Sequence, residues 1–379
     1  MSAATLAAGG LIGCGSGGSE SASKGSAIIV AQSGTAAQKA SALGEAAGKR
    51  RGTHKLPKVT IGLVQVAGQS EVAKNAENSL VLAAKQLGWT TKVCDGQGDP
   101  VKMNTCLVSL TSQNVKAAFT LAIEPSIIGA GLKLAKQKGI PVFSYGAPVA
   151  ESPLFTGVYA PSFKAAGVAL GKWAGKEYGA KAKTLLRLTF PGPAYVDRDS
   201  GFLEGLADAG VPGASWTASK NIDTKDLLGS AKTNTATLLQ QHPNADVIYN
   251  SYEATLAGQI QATDQKFGSK QYPDRPAAIT FGGALENQQD IRSGKFQASS
   301  WTNIEGGAYV ALDSAARVLT GEQANPSLAG SYELEGFPVY TYKVLDKANI
   351  ATAVTDGKPN PDNDFVSFFN AMWRTEYGE

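Results

Sequence analysis

The sequence predicts an α/β protein built from two doubly wound lobes hinged about a central cleft. Short β-branched runs with almost no charge alternate with helix-length segments of 3.6-residue apolar spacing, which is the pattern of parallel strands covered by helices on both faces. A second series of the same kind follows the first without a long linker, so the two halves belong to one hinged molecule. Sheets of this class bind ligands outside the carboxyl ends of their strands, and candidate functional residues are sought there.

The first strand spans residues 58–64 (KVTIGLV), and a helix follows over about 70–87 with Val72, Ala76, Leu80, Ala83, Ala84 and Leu87 on one face. Residues 90–95 (TTKVCD) make the second strand, and Asp99 caps a helix with Pro100 at its first position. The third strand is 116–122, Pro125 opens a helix that Gly139 stops, and 141–145 (PVFSY) is the fourth strand. A strand at 154–160 closes this half.

Ser162 caps the next helix, which carries Ala166, Leu170, Trp173 and Ala174 on one face and ends at Gly179. The second series has strands at 183–190, 214–220, 246–250, 277–282 and 295–301. Its helices lie near 196–209, 224–240, 252–267 and 285–293. One more helix, 304–319, a strand at 336–344 and a tail to Glu379 finish the chain.

With 379 residues and 43% apolar composition, the chain is long enough for two globular units, and no apolar run reaches the roughly 20 residues of a membrane span. A net charge of +3, with basic residues scattered except for Lys49, Arg50 and Arg51, does not point to nucleic acid. Of the three cysteines, Cys94 ends a strand and Cys106 sits in the helix after it, so the fold brings them within reach of a disulfide. Cys14 is left over. Its setting, Leu11-Ile12-Gly13-Cys14 ahead of a Gly/Ser/Ala-rich stretch, resembles the lipobox of bacterial lipoproteins, although no basic residue precedes it. Residues 1–13 are thus expected to be a signal and lipobox remnant, and 14–57 a tether with too little apolar surface to fold.

Several motifs together resemble the ribose-binding-like, sugar-class binding proteins of ABC importers. TIGLV, AAKQLGW, DGQGDPVK, KGIPVFSY, VDRDSGF and DVIYNSYEATLAG fall in that family's order and spacing, and the likeness covers nearly all of residues 59–344. The resemblance implies the type I periplasmic-binding-protein fold, two Rossmann-like lobes joined by a three-crossing hinge. The crossings would lie near Ala160, Asn303 and Tyr340, giving a first lobe of 58–160 plus 304–340 and a second lobe and tail of 161–303 plus 341–379.

Within Arg198-Asp199-Ser200-Gly201-Phe202, Arg198 matches the family arginine that hydrogen-bonds ligand oxygens, a task suited to a planar five-donor fork. The competing reading pairs Arg198 with Asp197 or Asp199 on the surface. Other positions depart from the sugar pattern. Val72 and Ala73 stand where the family commonly places two stacking aromatics, Gly146 and Ala147 replace an Asp-Arg pair, and Gly282 replaces an aspartate. The remaining strand-end residues, Gln65, Gln69, Ser70, Glu124, Tyr145, Asn250, Tyr252, Glu253, Trp301, Thr302 and Asn303, offer amides, carboxylates and rings. Such a set suits a small polar ligand, a sugar or something like it with a flat apolar face. For Trp301 a core position competes evenly, and Glu124 before Pro125 reads as a helix-entry acid.

Catalysis has no support in the sequence. His54 lies in the tether and His242 in a turn, no cluster has metal-ligand spacing, and GQGDP lacks both the dinucleotide fingerprint and the P-loop lysine. Residues 1–57 are too rich in Gly and Ser for the helix-turn-helix of a repressor. The expectation is a monomeric, lipid-anchored solute receptor outside the cytoplasm, with no cofactor and no metal, which closes on a small molecule and delivers it to an ABC permease. A sensory role for a chemoreceptor or kinase is the alternative.

Overall fold

In the computed structural model the described residues are 35–68, 70–282, 285–330, 332–355, 358–359 and 364–378. Cys14, the lipobox and Gln69 lie outside them. The chain opens with α1 (Ala36–Arg51), then β1 (Thr60–Gln65), α2 (Glu71–Gln86), β2 (Thr90–Asp95), α3 (Pro100–Ser112), β3 (Ala118–Leu121), α4 (Gly129–Gln137), β4 (Val142–Tyr145) and β5 (Gly157–Pro161). The second series is α5 (Phe163–Tyr178), β6 (Leu185–Thr189), α6 (Pro193–Asp208), β7 (Trp216–Asn221), α7 (Leu227–Gln241), β8 (Val247–Asn250), α8 (Leu256–Phe267), β9 (Ala277–Phe281), α9 (Leu285–Ser293) and β10 (Ala298–Thr302). Then come α10 (Glu305–Leu319), β11 (Leu328–Gly330), the β12 (Glu333–Leu334) and β13 (Phe337–Pro338) hairpin, β14 (Tyr342–Asp346), the short pair β15 (Val354–Thr355) and β16 (Lys358–Pro359), and α11 (Phe365–Tyr377).

Two six-stranded sheets result, ordered β11-β5-β4-β3-β1-β2 and β14-β10-β9-β8-β6-β7. All pairings are parallel except β10 with β14. The chain reverses its winding between β1 and β3 and again between β6 and β8, which leaves a crevice at the carboxyl ends of both pairs. Burial follows from this. Strands β3, β4, β8 and β9 are buried at every position, as helices on both faces require, whereas edge strand β7 alternates. In the first lobe α2, α10 and α11 cover one face and α3 with α4 the other. In the second, α5 and α6 face α7, α8 and α9 across the sheet.

Capping side chains set the helix starts. Ser70, Asp99 and Ser162 accept from the backbone N–H groups of Ala73, Lys102 and Ala165, as their positions predict. Four starts differ from the sequence reading. Residues 125–127 form a turn and the helix begins at Gly129, α6 begins earlier, at Pro193, α7 begins at Leu227 with Asp226 as its cap, and α8 begins at Leu256 after a short turn over Glu253–Thr255.

The described part of the expected tether, residues 35–57, contains a 16-residue helix, α1. Thr35 and Gln38 form a capping box, and Ala40, Gly44, Ala47 and Gly48 bury one face of α1 against α11. A Cβ on Gly44 would run into the Phe368 carbonyl, so the glycines read as disorder in the sequence are what lets two helix backbones meet. The tail is corrected as well. Helix α11 belongs to the core of the first lobe, with Phe368, Phe369, Met372 and Trp373 buried there, and only β14 joins the second sheet. The single strand expected at 336–344 is broken between β13 and β14, because the chain crosses between lobes there.

Arg51 fastens this pair of helices. Its Nη1 donates to Asp313 at 2.9 and 3.0 Å and to Glu376 at 3.3 Å, and its Nε donates to Glu335 at 3.2 Å. Trp373 and Asn325 also donate to Asp313, whose side chain, like that of Glu376, is wholly buried. Burial and the Asp313 charge push the Glu376 carboxyl up, and Arg51 opposes them. Arg51→Met strands two buried carboxylates, and the expected loss is about 3–5 kcal/mol of stability by urea denaturation.

Candidate functional site

The crevice at the β6/β8 switch point is built around Arg198, on the second turn of α6. Pro193 at the first position of that helix fixes its entry, and Arg198 follows Tyr195 by three residues, one turn along the same face. The guanidinium carbon sits 3.9 Å from the centre of the Phe163 ring, 5.1 Å from Phe281 and 5.6 Å from Tyr195. Nη1 donates to the Ser251 carbonyl at 2.7 Å, while Nε is buried and has no acceptor among the described residues. Among the described residues Arg198 makes no ion pair, which rules out the surface-pair reading. Asp199 turns the other way: it accepts from Arg187 Nη1 at 2.9 Å, Thr189 Oγ1 at 2.8 Å and Ser251 Oγ at 2.6 Å. That buried carboxylate pins the peptide whose carbonyl then holds Arg198.

Next to Ser251, Tyr252 reaches across to the first lobe. Its hydroxyl lies 2.9 Å from Ser70 Oγ at the start of α2, and either group can donate. Burial pushes the Tyr252 phenol up, so it stays neutral at ordinary pH. Phe190 packs against both Tyr195 and Tyr252, at 4.9 and 6.0 Å between ring centres. Asn250 braces the turn, its Oδ1 accepting from Tyr252 N–H at 3.2 Å and from Thr255 Oγ1 at 2.8 Å, and its Nδ2 is buried without a protein partner.

Glu253 sits over Gly282. It is 4% exposed and accepts from Asn287 Nδ2 at 3.4 Å. A Cβ on Gly282, whose φ is +113°, would fall inside the Glu253 carboxylate. The space that a side chain on residue 282 would fill is therefore occupied by a carboxylate delivered from the β8–α8 turn.

Four of the expected residues are employed elsewhere. Tyr145 is fully buried in the first-lobe core and its hydroxyl donates to the Ala76 carbonyl at 3.2 Å. Gln65 donates to Ala73 O at 2.8 Å and Glu77 Oε2 at 3.1 Å, tying β1 to α2. Trp301 packs with Leu256, Ile260, Phe296 and Leu345 in the second lobe. Asn303 donates to Val339 O at 2.8 Å and accepts from Thr341 N–H at 2.6 Å, which makes it a hinge residue. Arg198, Ser70, Asn250, Tyr252 and Glu253 do come together. Sequence reasoning missed Phe163, Phe190, Tyr195 and Phe281, although Tyr195, three residues before Arg198 on a helix, was open to it.

A model of the periplasmic binding protein domain family matches residues 61–323, more than half of the chain. The protein belongs to the periplasmic binding proteins. Its relatives include the galactofuranose-binding protein YtfQ of Escherichia coli (strain K12), 23% identical over 257 residues that make up 65% of this chain and 77% of that one. Among solved structures, an ABC transporter solute-binding protein from Mycobacterium smegmatis with bound glycerol superposes with TM-score 0.69 at 20% identity, covering 81% of this chain and all of that one. A second Mycobacterium smegmatis protein, in complex with β-D-fucofuranose, gives TM-score 0.65 at 22% identity over 79% of this chain and 94% of its own. As a member of this family the chain is a binding protein, not an enzyme, and works outside the cytoplasm. No helix among the described residues is long and apolar enough to cross a membrane.

The fit between Gly282 and Glu253 is testable in this binding protein. Gly282→Ala is expected to cost about 1–2 kcal/mol in thermal unfolding, from positive φ and collision with the carboxylate. Adding Glu253→Ala should return part of that loss, a coupling that a double-mutant cycle reads directly.

Proposed function

We propose that the protein captures a small sugar in the crevice between its lobes, furanose forms foremost, and delivers it to an ABC importer. The observation that carries this reading is Arg198: a cation stacked on rings at a switch point, with a buried N–H that has no acceptor among the described residues. A sugar presents the complement, oxygens for the fork and hydrogen-bearing hydroxyls for a carboxylate such as Glu253. Its C–H face suits rings such as Tyr195 and Phe281. The furanose preference is supported by two similar proteins, one named for galactofuranose and one solved in complex with β-D-fucofuranose. Gly146, Ala147, Val72 and Ala73, small where the sugar pattern has large or charged residues, leave the second lobe to supply most of the recognition.

Delivery follows from closure. Ligand held by Arg198 gains contacts with the first lobe only when the lobes meet, and that difference in affinity drives the hinge shut. The closed face then docks on the permease as a single chain. Lipid attachment at Cys14 would hold the protein on the outer side of the membrane; labelled fatty acid incorporated by the full chain and lost in Cys14→Ser checks it.

Calorimetry with methyl β-D-galactofuranoside and β-D-fucofuranose tests the ligand assignment. Micromolar or tighter binding is expected, weakened roughly 100-fold by Arg198→Ala through loss of two charge-assisted hydrogen bonds. Tyr252→Phe, which removes the bond to Ser70, should weaken it only about fivefold. No heat with these sugars or with a panel of pyranoses would reject the reading.

A further inference from the structure

Ser70 owes its place to a turn on the neighbouring strand. The peptide after β1 hangs from the β2–α3 turn by three hydrogen bonds: Gly96 N–H to Gln65 O at 2.7 Å, Gly98 N–H to Val66 O at 2.8 Å, and Gly68 N–H to Asp95 Oδ1 at 3.1 Å. The same Asp95 oxygen accepts from Gln97 N–H at 2.8 Å. Gln97 and Gly98 both have positive φ, +54° and +71°. A glutamine holds that conformation only where its surroundings fix it, and Asp95 is the group that does so. The turn is bracketed on both sides by the Cys94–Cys106 disulfide, whose Cα atoms are 5.6 Å apart. A Cβ on Gly68 would stand 2.8 Å from Asp95 Oδ2, so this carboxylate also needs a glycine opposite it. From Gly68 the chain reaches Ser70, whose N–H donates to Ala67 O at 3.1 Å and whose Oγ meets Tyr252.

We infer that Asp95, held by the Cys94–Cys106 bridge, is a positioning residue for the cleft: it orders the backbone that presents Ser70 to the opposite lobe. Among the described residues its hydrogen bonds are with Gly68 and Gln97, both in the first lobe, and its influence on ligand runs through Gly68 and Ser70. The link to ligand affinity rests on the sugar-binding reading above; the link to backbone order does not.

Amide exchange by NMR on the full chain tests the second link, and calorimetry with methyl β-D-galactofuranoside tests the first. Asp95→Ala is expected to speed exchange at Gly68 and to weaken the furanoside, each by roughly tenfold, the loss of one hydrogen bond to a charged acceptor. Asp95→Asn keeps an acceptor oxygen and should restore both, which a general loosening of the lobe would not. The Cys94→Ser/Cys106→Ser double variant should shift exchange at Gly68 in the same direction while amides in α5 and α6 stay as protected as before. Unchanged exchange in Asp95→Ala, or no rescue by Asp95→Asn, overturns the role of Asp95. Unchanged exchange in the double serine variant overturns that of the bridge. If the wild-type protein does not bind the furanoside yet exchange responds as described, the ligand assignment fails and the backbone link is upheld.

Discussion

One buried amide ties together the strands of chain that join the two lobes. Asn303, 1% exposed, begins the second crossing and spends both ends of its side chain on the third, donating to Val339 O and accepting from the Thr341 backbone and hydroxyl. The first crossing is fastened to the same place, since Ser162 N–H donates to the Tyr342 hydroxyl at 2.8 Å. In an apolar setting each of these bonds would cost about 1–3 kcal/mol to leave unmade. The three crossings are therefore bonded to one another at one place. A ligand site shared between lobes, as proposed, would depend on that bonding to keep the two crevices facing each other.

Much of this architecture could be read from residue pattern, because parallel strands buried on both faces have a composition that little else shares. The runs at 58–64, 116–122 and 277–282 carry almost no charge, and each contains a strand of the sheets. What could not be read is governed by contacts between distant segments. Residues 36–51 looked like a tether since Gly and Ala bury little surface alone, yet that smallness is what admits α11. Nothing within the segment announces a partner more than three hundred residues away. Arg51 stands beside Lys49 and Arg50 in the sequence's one basic cluster, yet its partners Asp313 and Glu376 are buried.

The candidate site shows a similar division. Arg198 was identifiable because helix start, strand end and residue type agreed there. Tyr145, Trp301 and Asn303 also stand at strand ends, and pattern cannot say which way a terminal side chain turns. The structure turns the first two inward, to Ala76 and to the Leu256 cluster, and turns Asn303 to the hinge. The loss of a side chain at Gly282 looked like the loss of an acidic group. The volume beside Gly282 is filled by the Glu253 carboxylate, which comes from another strand end.

Magnitudes decide how closure would be divided between protein and ligand. Every close contact of Arg198 is made within the second lobe, so its geometry does not wait for the first. Across the crevice the Ser70–Tyr252 bond joins two neutral hydroxyls, worth about 1 kcal/mol against the water each gives up. That shifts an open-closed equilibrium about fivefold, whereas moving it from mostly open to mostly closed takes about 5.5 kcal/mol. The difference has to come from the bound molecule. A buried guanidinium N–H with no acceptor among the described residues is the kind of group that would supply it, because its hydrogen bond would form only with bound ligand.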